Sequence, residues 1–481
     1  MDAVAEGKSV IRYTGNPYVD AGAAVLELRL KKPCATFGED DLCAQATQLE
    51  AEYSRPIWKS YLTIHFPNSA WVQPRISAEK KRAYVRKVLG SYLEGPLVPA
   101  RGCVFCGRPA QTIVDRSHFP LLTGETIMVA GAGAKPGLTV CGFCIFAVQF
   151  YPLATLKVGG RPLFWWAPEP GWTRLLTRRF LADSQRVLAA SSDQFLNLRW
   201  ASTQLLRAAR GALDDLDSPP DWLSREKRPP LCDIVGIHAT NYGSGPDYDE
   251  LRIPRNLLEF WSEARSSFGA IYQQIETEAW ESQVKPKSSK QKAANPSPVP
   301  ELARRNRLYE ALGEAFRSPD FCREAKGVAA KFFLRRKGKS VAPNTSALAE
   351  FFLEKVAGME KARLEAIREM ADSIADNLIL AKRDRQAASQ LFRRRLKPGE
   401  FMQCISQVQR KLSDAGRPFV WDRVLLALGL ASEEDRTPTD TWLVQELMLI
   451  RLYERLAQSE ILTELPEPQA EESSKDESTE R

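Results

Sequence analysis

The sequence predicts an α+β protein: a mixed N-terminal lobe with an inserted four-cysteine module, followed by an all-α helical-bundle lobe. Three observations carry this expectation. Short β-rich runs alternate with helical patterns before residue 283, two Cys-x-x-Cys pairs stand close together within that part, and helical periodicity dominates after residue 300. The expected domains are a lobe over 1–282 with its module at about 100–147, a linker over 283–300, a bundle over 301–465 and a disordered acidic tail over 466–481.

Taken in order, Ser9–Tyr13, Tyr61–Phe66 and Ile234–His238 read as strands from their β-branched and aromatic content. Ser77 is an N-cap candidate for a helix reaching about Leu93. It carries Val85, Val88, Leu89, Tyr92 and Leu93 on one face, with Lys80, Lys81, Arg82, Arg86 and Lys87 largely elsewhere. The segment Gln283–Pro300 (QVKPKSSKQKAANPSPVP) lacks the apolar residues needed to offset the entropy of ordering. Beyond it, helices are expected over Glu301–Phe316, Glu400–Leu412 and Thr441–Leu456. A longer one should open at Asn344-Thr345-Ser346, with Leu348, Phe352, Val356, Met359, Ile367, Met370, Ile374 and Leu378 near helical spacing. Short connections favour an antiparallel bundle, and no internal repeat of fixed period is present.

With 481 residues, 44% hydrophobic and 26% charged, the chain suits two to four globular domains. Its net charge of +7 is modest for this length, so any nucleic-acid argument rests on where cations cluster. The N-terminus has no apolar signal core, and no run of about eighteen apolar residues suggests a membrane span. The expectation is a reducing compartment, where cysteines serve as metal ligands more often than as disulfides.

RGCVFCGRP and TVCGFCIF supply Cys103, Cys106, Cys141 and Cys144. Thiolates two residues apart both reach one metal when a tight turn carries the chain back over it, and neighbouring glycines suit such knuckles. Two knuckles complete S₄ coordination, which favours a structural Zn²⁺ ion; an iron–sulfur cluster is the minor alternative, and a redox dithiol needs only one pair. A closed S₄ site offers water no open position, so the metal should stabilise rather than catalyse. Cys34, Cys43, Cys232, Cys322 and Cys404 are scattered singly and read as core or surface thiols.

Between the knuckles lies Val114-Asp115-Arg116-Ser117-His118-Phe119-Pro120, where HNH-type nucleases carry a catalytic histidine. That chemistry needs a further Asn and His soon after the second knuckle, and here no histidine follows Cys144 until His238. The glycines of Val129–Gly137 suit a hairpin tip better than a phosphate loop, and no nucleotide-binding loop motif occurs. The expectation is therefore a protein that is not an enzyme. A zinc nuclease of HNH type and a zinc-scaffolded adaptor without a nucleic-acid role are the alternatives.

Four clusters mix cations with aromatics, a combination suited to phosphate contact and base stacking. They are Lys157–Arg161 leading into Phe164-Trp165-Trp166, Arg174–Phe180 with Arg178 and Arg179, Lys331–Lys339 with Arg335 and Arg336, and Arg393-Arg394-Arg395-Leu396-Lys397.

Thr14-Gly15-Asn16-Pro17-Tyr18-Val19-Asp20-Ala21-Gly22, the cysteine pairs, Phe150-Tyr151-Pro152-Leu153 and the run His238-Ala239-Thr240-Asn241-Tyr242-Gly243 together span roughly residues 9 to 255. In these the chain resembles the large subunit of type I CRISPR surveillance complexes (Cascade), in the subtype I-A/I-B branch named for its CXXC–CXXC region. The C-terminal lobe resembles the family only in kind, as a bundle like the Cascade small subunit. The resemblance implies a non-catalytic protein of the prokaryotic cytoplasm, with crRNA-bearing backbone subunits as partners and no membrane. It also implies reading of a protospacer-adjacent motif on double-stranded DNA, help in opening the duplex, and hold on the displaced strand. Recruitment of a helicase-nuclease, or of transposition machinery in transposon-associated versions, completes the implied role. The guide supplies sequence specificity, so the protein needs a short base readout and backbone contacts. On this reading Asn16, Asn241 and Tyr242 lie near DNA or a neighbouring subunit, although Asn-Pro and Asn-Tyr-Gly are also ordinary turn formers. Lys157, Arg161, Arg178, Arg179, Lys331, Arg335, Arg336 and Arg393–Arg395 are the backbone-contact candidates.

Overall fold

A computed structural model describes residues 11–121, 137–191, 195–217, 228–240, 247–281, 300–334, 341–381, 396–430 and 440–457. The chain is mixed α/β and mostly helical, and forms two compact units: Met1–Leu258 with Trp280–Arg317, and Glu259–Ala279 with Ser318–Arg481.

The first unit is built around α1 (Pro17–Leu30), in which every residue from Tyr18 to Glu27 is buried. A helix apolar or small all round belongs in a core rather than on a surface, and YVDAGAAVLE meets that requirement. Asn16 starts it: its side-chain oxygen accepts from the Tyr18 and Val19 amides at 3.1 and 3.2 Å, and Pro17 supplies a preset φ. α1 packs on α5 (Gly142–Val148) and α6 (Pro170–Ala190); α4 (Ala78–Leu89) packs in turn on α5, α7 (Ala201–Asp217) on α6, and α2 (Glu39–Tyr53) on α3 (Pro56–Thr63). A four-stranded antiparallel sheet runs in the order β3 (Leu156–Val158), β4 (Arg161–Trp166), β5 (Ile234–Thr240), β6 (Asp247–Ile253). Its register sets Trp165 opposite Gly236 and Leu163 opposite His238. A two-stranded sheet, β1 (Thr112–Val114) with β2 (Leu138–Val140), stands separately.

The second unit is helical throughout its described residues. It takes most of α8 (Arg255–Glu278), then α11 (Phe321–Val328), α12 (Thr345–Lys355), α13 (Lys361–Ile374), α14 (Pro398–Asp414), α15 (Trp421–Ala427) and α16 (Thr441–Leu456). The short α9 (Pro300–Ala303) and α10 (Arg307–Arg317) belong to the first unit. Phe260, Tyr272, Phe333, Phe351 and Phe352 form the second unit's aromatic cluster, with Phe333 and Phe352 stacked at 4.5 Å.

Several expectations are corrected. The run Tyr61–Phe66 is no strand: Pro56 opens α3, and Ile57, Trp58, Tyr61 and Leu62 face inward at helical spacing. Tyr61 stacks flat on Phe195 at 4.0 Å, so tertiary packing overrides β-propensity here. Ile11–Tyr13 pairs with no strand among the described residues. The helix capped by Ser77 stops at Leu89, before Gly90, and 91–93 form a 3-10 turn. Glu301–Phe316 is two helices, broken where Asn306 caps α10 by accepting from Leu308 and Tyr309 amides. The long helix expected from residue 344 is interrupted after Lys355, with Gly358 at φ +69, and its end over Ala375–Leu380 is a π-turn. By contrast Ile234–His238 falls within β5, and the helices over 400–412 and 441–456 are present.

The expected cut at 283–300 does not separate the compact units. The chain is back in the first unit from Trp280 to Arg317, where Glu310 accepts from the Thr203 amide and hydroxyl at 2.7 Å and Leu302 O accepts from Gln204 at 2.7 Å. Residues 283–299 and the tail 466–481 lie outside the described residues.

Candidate metal centre

The first knuckle is a tight hairpin of backbone bonds. Cys103 N donates to Arg108 O at 2.7 Å, Gly107 N to Cys103 O at 2.9 Å, and Ala110 N to Arg101 O at 2.8 Å. Gly107 sits at φ +75, a conformation that glycine adopts without steric cost. The second knuckle follows β2. Cys141 is the N-cap of α5, and its sulfur lies 3.4 Å from the Cys144 amide that points at it. Three bonds hold the knuckles together: Val104 N to Thr139 O at 3.0 Å, Thr139 Oγ1 to Gly102 O at 2.8 Å, and Gly142 N to Gln111 Oε1 at 2.8 Å.

The four sulfurs lie within 4.8 Å of one another, with Cys106 and Cys141 3.4 Å apart. A tetrahedron with metal–sulfur bonds of about 2.3 Å has an edge of about 3.8 Å, inside that range. All four cysteines are free thiols; Cys103, Cys141 and Cys144 are buried and Cys106 is half-buried. Sulfhydryl donors from Cys141 and Cys144 pull Cys103 well below the usual thiol range. The Cys144 donor likewise lowers Cys106, to about 6. Donation to Cys103 pushes Cys141 up to about 12 and raises Cys144 too. The tetrad therefore shares protons that a cation would displace. Four thiols at this spacing, three of them buried, fit a metal ion, and among the described residues no other group of three or more potential ligands converges in this way.

The centre is tied to the TGNPYVDAG segment. Asp20 accepts from the Thr14 and Gly15 amides at 2.6 and 3.0 Å and from the Trp166 indole at 3.0 Å. Gly22, two residues further along α1, lies so close to α5 that a Cβ there would meet Ala147 O at 1.8 Å. On the other side of α5, a Cβ on Gly142 would meet the Tyr92 amide at 2.0 Å. Glycines at both contacts let two backbone segments, α1 and the turn at Ser91–Tyr92, close on the helix that carries Cys144. Arg12 adds a bond to the Cys106 carbonyl.

His118 is buried beside this region, with its Nδ1, its ring face and its carbonyl engaged. Its Nδ1 is 2.7 Å from Asp115 Oδ1, its ring stacks on Tyr84 at 5.2 Å, and its carbonyl accepts from Gln149 at 3.2 Å. The bond to His118 holds the Asp115 carboxyl well below its usual range.

The structure gives the other selected residues distinct surroundings. Asn16 caps α1. Lys157 is half-buried on β3, and Arg161 pairs with Asp247 at 2.8 Å. Arg179 makes a two-pronged bond to Asp215 at 2.7 and 2.8 Å, with Arg178 3.8 Å from the same carboxylate. Lys331 is exposed, with its ammonium over the Phe332 ring at 5.6 Å. Asn241, Tyr242, Arg335, Arg336 and Arg393–Arg395 lie outside the described residues, as does most of the glycine run 129–137. The basic residues of α4 were assigned only to a helix face from sequence, yet Lys80, Arg82 and Arg86 are exposed beside the centre; their density in EKKRAYVRK was the available signal. No helix among the described residues is long and apolar enough to cross a membrane. Comparison with protein-family models, curated proteins and solved structures finds no match to the chain.

Proposed function

We propose that the chain is the non-catalytic large subunit of a crRNA-guided DNA-targeting complex, with Zn²⁺ as the structural metal at Cys103, Cys106, Cys141 and Cys144. In this role it reads the protospacer-adjacent motif, aids duplex opening and recruits a separate effector. The observation that carries the reading is the union of two sequence features in one unit. The TGNPYVDAG segment, which resembles the family's opening, seats Gly22 directly on the cysteine-bearing α5. Zinc is favoured over harder cations because every ligand is a soft thiolate, and a closed S₄ set leaves no open position for hydrolytic chemistry. A structural role for His118 agrees with its engagement by Asp115 and Tyr84. The described helical part of the second unit agrees with a small-subunit-like bundle following the α+β lobe.

The test is purification of tagged full-length chain from its native host, followed by sequencing of bound RNA and mass spectrometry of bound protein. Recovery of guide RNA of uniform length with a repeated backbone subunit is expected. A preparation that carries neither leaves the adaptor reading standing instead. Metal-dependent DNA cleavage abolished by His118→Ala would overturn the non-catalytic assignment in favour of an HNH-type nuclease.

A further inference from the structure

We propose that the cleft between α2 and α6 binds a small uncharged molecule through an amide-type group, one that accepts one hydrogen bond and donates another. The cleft has a volume of about 330 Å³, lies wholly within the first unit and is lined by no cysteine. A cleft of this size suits a small ligand. Trp58, Leu153, Leu181 and Leu188 give it apolar walls, and the buried Ser184 adds a hydroxyl. Two of its lining residues carry buried polar atoms with no hydrogen-bond partner among the described residues: Gln45 Oε1, an acceptor, and Trp58 Nε1, a donor. Both residues are more than nine-tenths buried, at 7% and 2% exposure. Gln45 Nε2 is already engaged with Gln48 Oε1 at 3.4 Å, so the oxygen is the free end of that amide.

A buried donor or acceptor left without a partner destabilises the fold, so two of opposite type on one cleft call for a ligand that supplies both partners. The charges around them select its class. Arg29 and Glu52 line the same cleft but neutralise one another: the two terminal nitrogens of Arg29 donate to the two Glu52 oxygens at 3.1 and 2.9 Å. The Arg29 guanidinium also lies over the Phe150 ring at 5.9 Å, which fixes it further. A carboxylate or an ammonium entering here would break that pair or be buried without a counter-ion. Arg55, the remaining charged residue of the lining, is exposed and keeps its charge in water. A neutral amide meets neither cost, and its N–H and C=O match Gln45 Oε1 and Trp58 Nε1 in type. The apolar walls favour a compact hydrophobic body behind that group. The cleft shares no residue with the cysteine centre or with TGNPYVDAG, so its ligand does not depend on the guide-complex reading.

The experiment is titration of the full-length protein with benzamide, benzoate and benzylamine, one ring with three head groups, followed by saturation-transfer NMR. Benzamide should bind with a Kd of about 1 mM or tighter, and benzoate and benzylamine at least about tenfold more weakly. Gln45→Leu and Trp58→Phe each remove one partner and should weaken benzamide binding about tenfold. Gln45→Leu exchanges an unpaired buried amide for an apolar side chain of similar size, which keeps the fold, so it decides alone should Trp58→Phe not fold. Absence of benzamide binding at about ten times that concentration overturns the proposal. Equal affinity for the three head groups, or benzamide affinity unchanged by Gln45→Leu, overturns it equally. Tighter binding of benzoate, directed by Arg55, would make the cleft an anion site and overturn it too.

Discussion

In the first unit, Cys103 is the only buried residue between Glu94 and Pro109, and that segment joins β2 and α5 through the four thiols. In the second unit, five aromatic rings on α8, the 329–333 turn and α12 pack edge-on, tilted and stacked against one another, and Trp261 donates to the Tyr272 hydroxyl at 2.7 Å. One region leaves apolar side chains such as Val98 and Val104 exposed and closes around four thiols that fit a metal ion; the other closes on packed aromatic rings. The contrast teaches where coordination can stand in for a core: where a segment must be held in a fixed shape while its side chains stay outside.

The largest expected effect breaks the units apart energetically. Chelation, or Cys144→Ser, should cost on the order of 10 kcal/mol of local folding free energy around the knuckles. Hydrogen exchange should show β1, β2 and the 94–110 segment losing protection while α12 and α13 keep theirs. Equal loss in both units would erase the comparison. The mirror experiment is Phe352→Ala, which removes a ring stacked on Phe333 and should cost about 3–5 kcal/mol with the bound metal retained. Metal loss in that variant would show that the units are not energetically separate.

A smaller effect sharpens the comparison through pH. Burial pushes the Glu350 carboxyl up from 4.5 to about 7, against the opposing pull of Arg368 at 2.8 Å. The folded state therefore holds a proton that the unfolded chain has released between these values. Stability contributed by this group is present below pH 4.5 and falls as pH rises towards 7, by about 3 kcal/mol at most. Glu350→Gln should flatten the stability–pH profile of the second unit over that window, as measured by denaturant unfolding. A profile identical to that of the unmodified protein would show that Glu350 is solvated rather than buried.

The cysteine tetrad was legible because each knuckle is local, two ligands three residues apart, with Gly107 permitting the first turn. Its closure across residues 107–140 was an inference from chemistry, and the β1–β2 pairing supplies the geometry. Asn16 was open between a DNA contact and turn chemistry, and its oxygen is engaged in the cap of α1. The basic clusters were hardest to judge. RLLTRRF and EKKRAYVRK look alike on paper, but Asp215, thirty-six residues beyond Arg179, neutralises the first. The break at Arg304–Asn306 was likewise hidden, because its cause is the seating of Thr203 and Gln204 against it.

By itself, the sequence determined what depends on near neighbours: four soft ligands in two turns, a capped start at Ser77, and helical periodicity beyond residue 300. Such features follow from backbone sterics and hydrogen-bond spacing within a few residues. Only the tertiary structure decided which cations remain without carboxylates, why Tyr61 sits on a helix, and where the chain passes between its compact units. Those outcomes depend on which distant residue comes within about 4 Å, and packing, rather than local preference, brings it there.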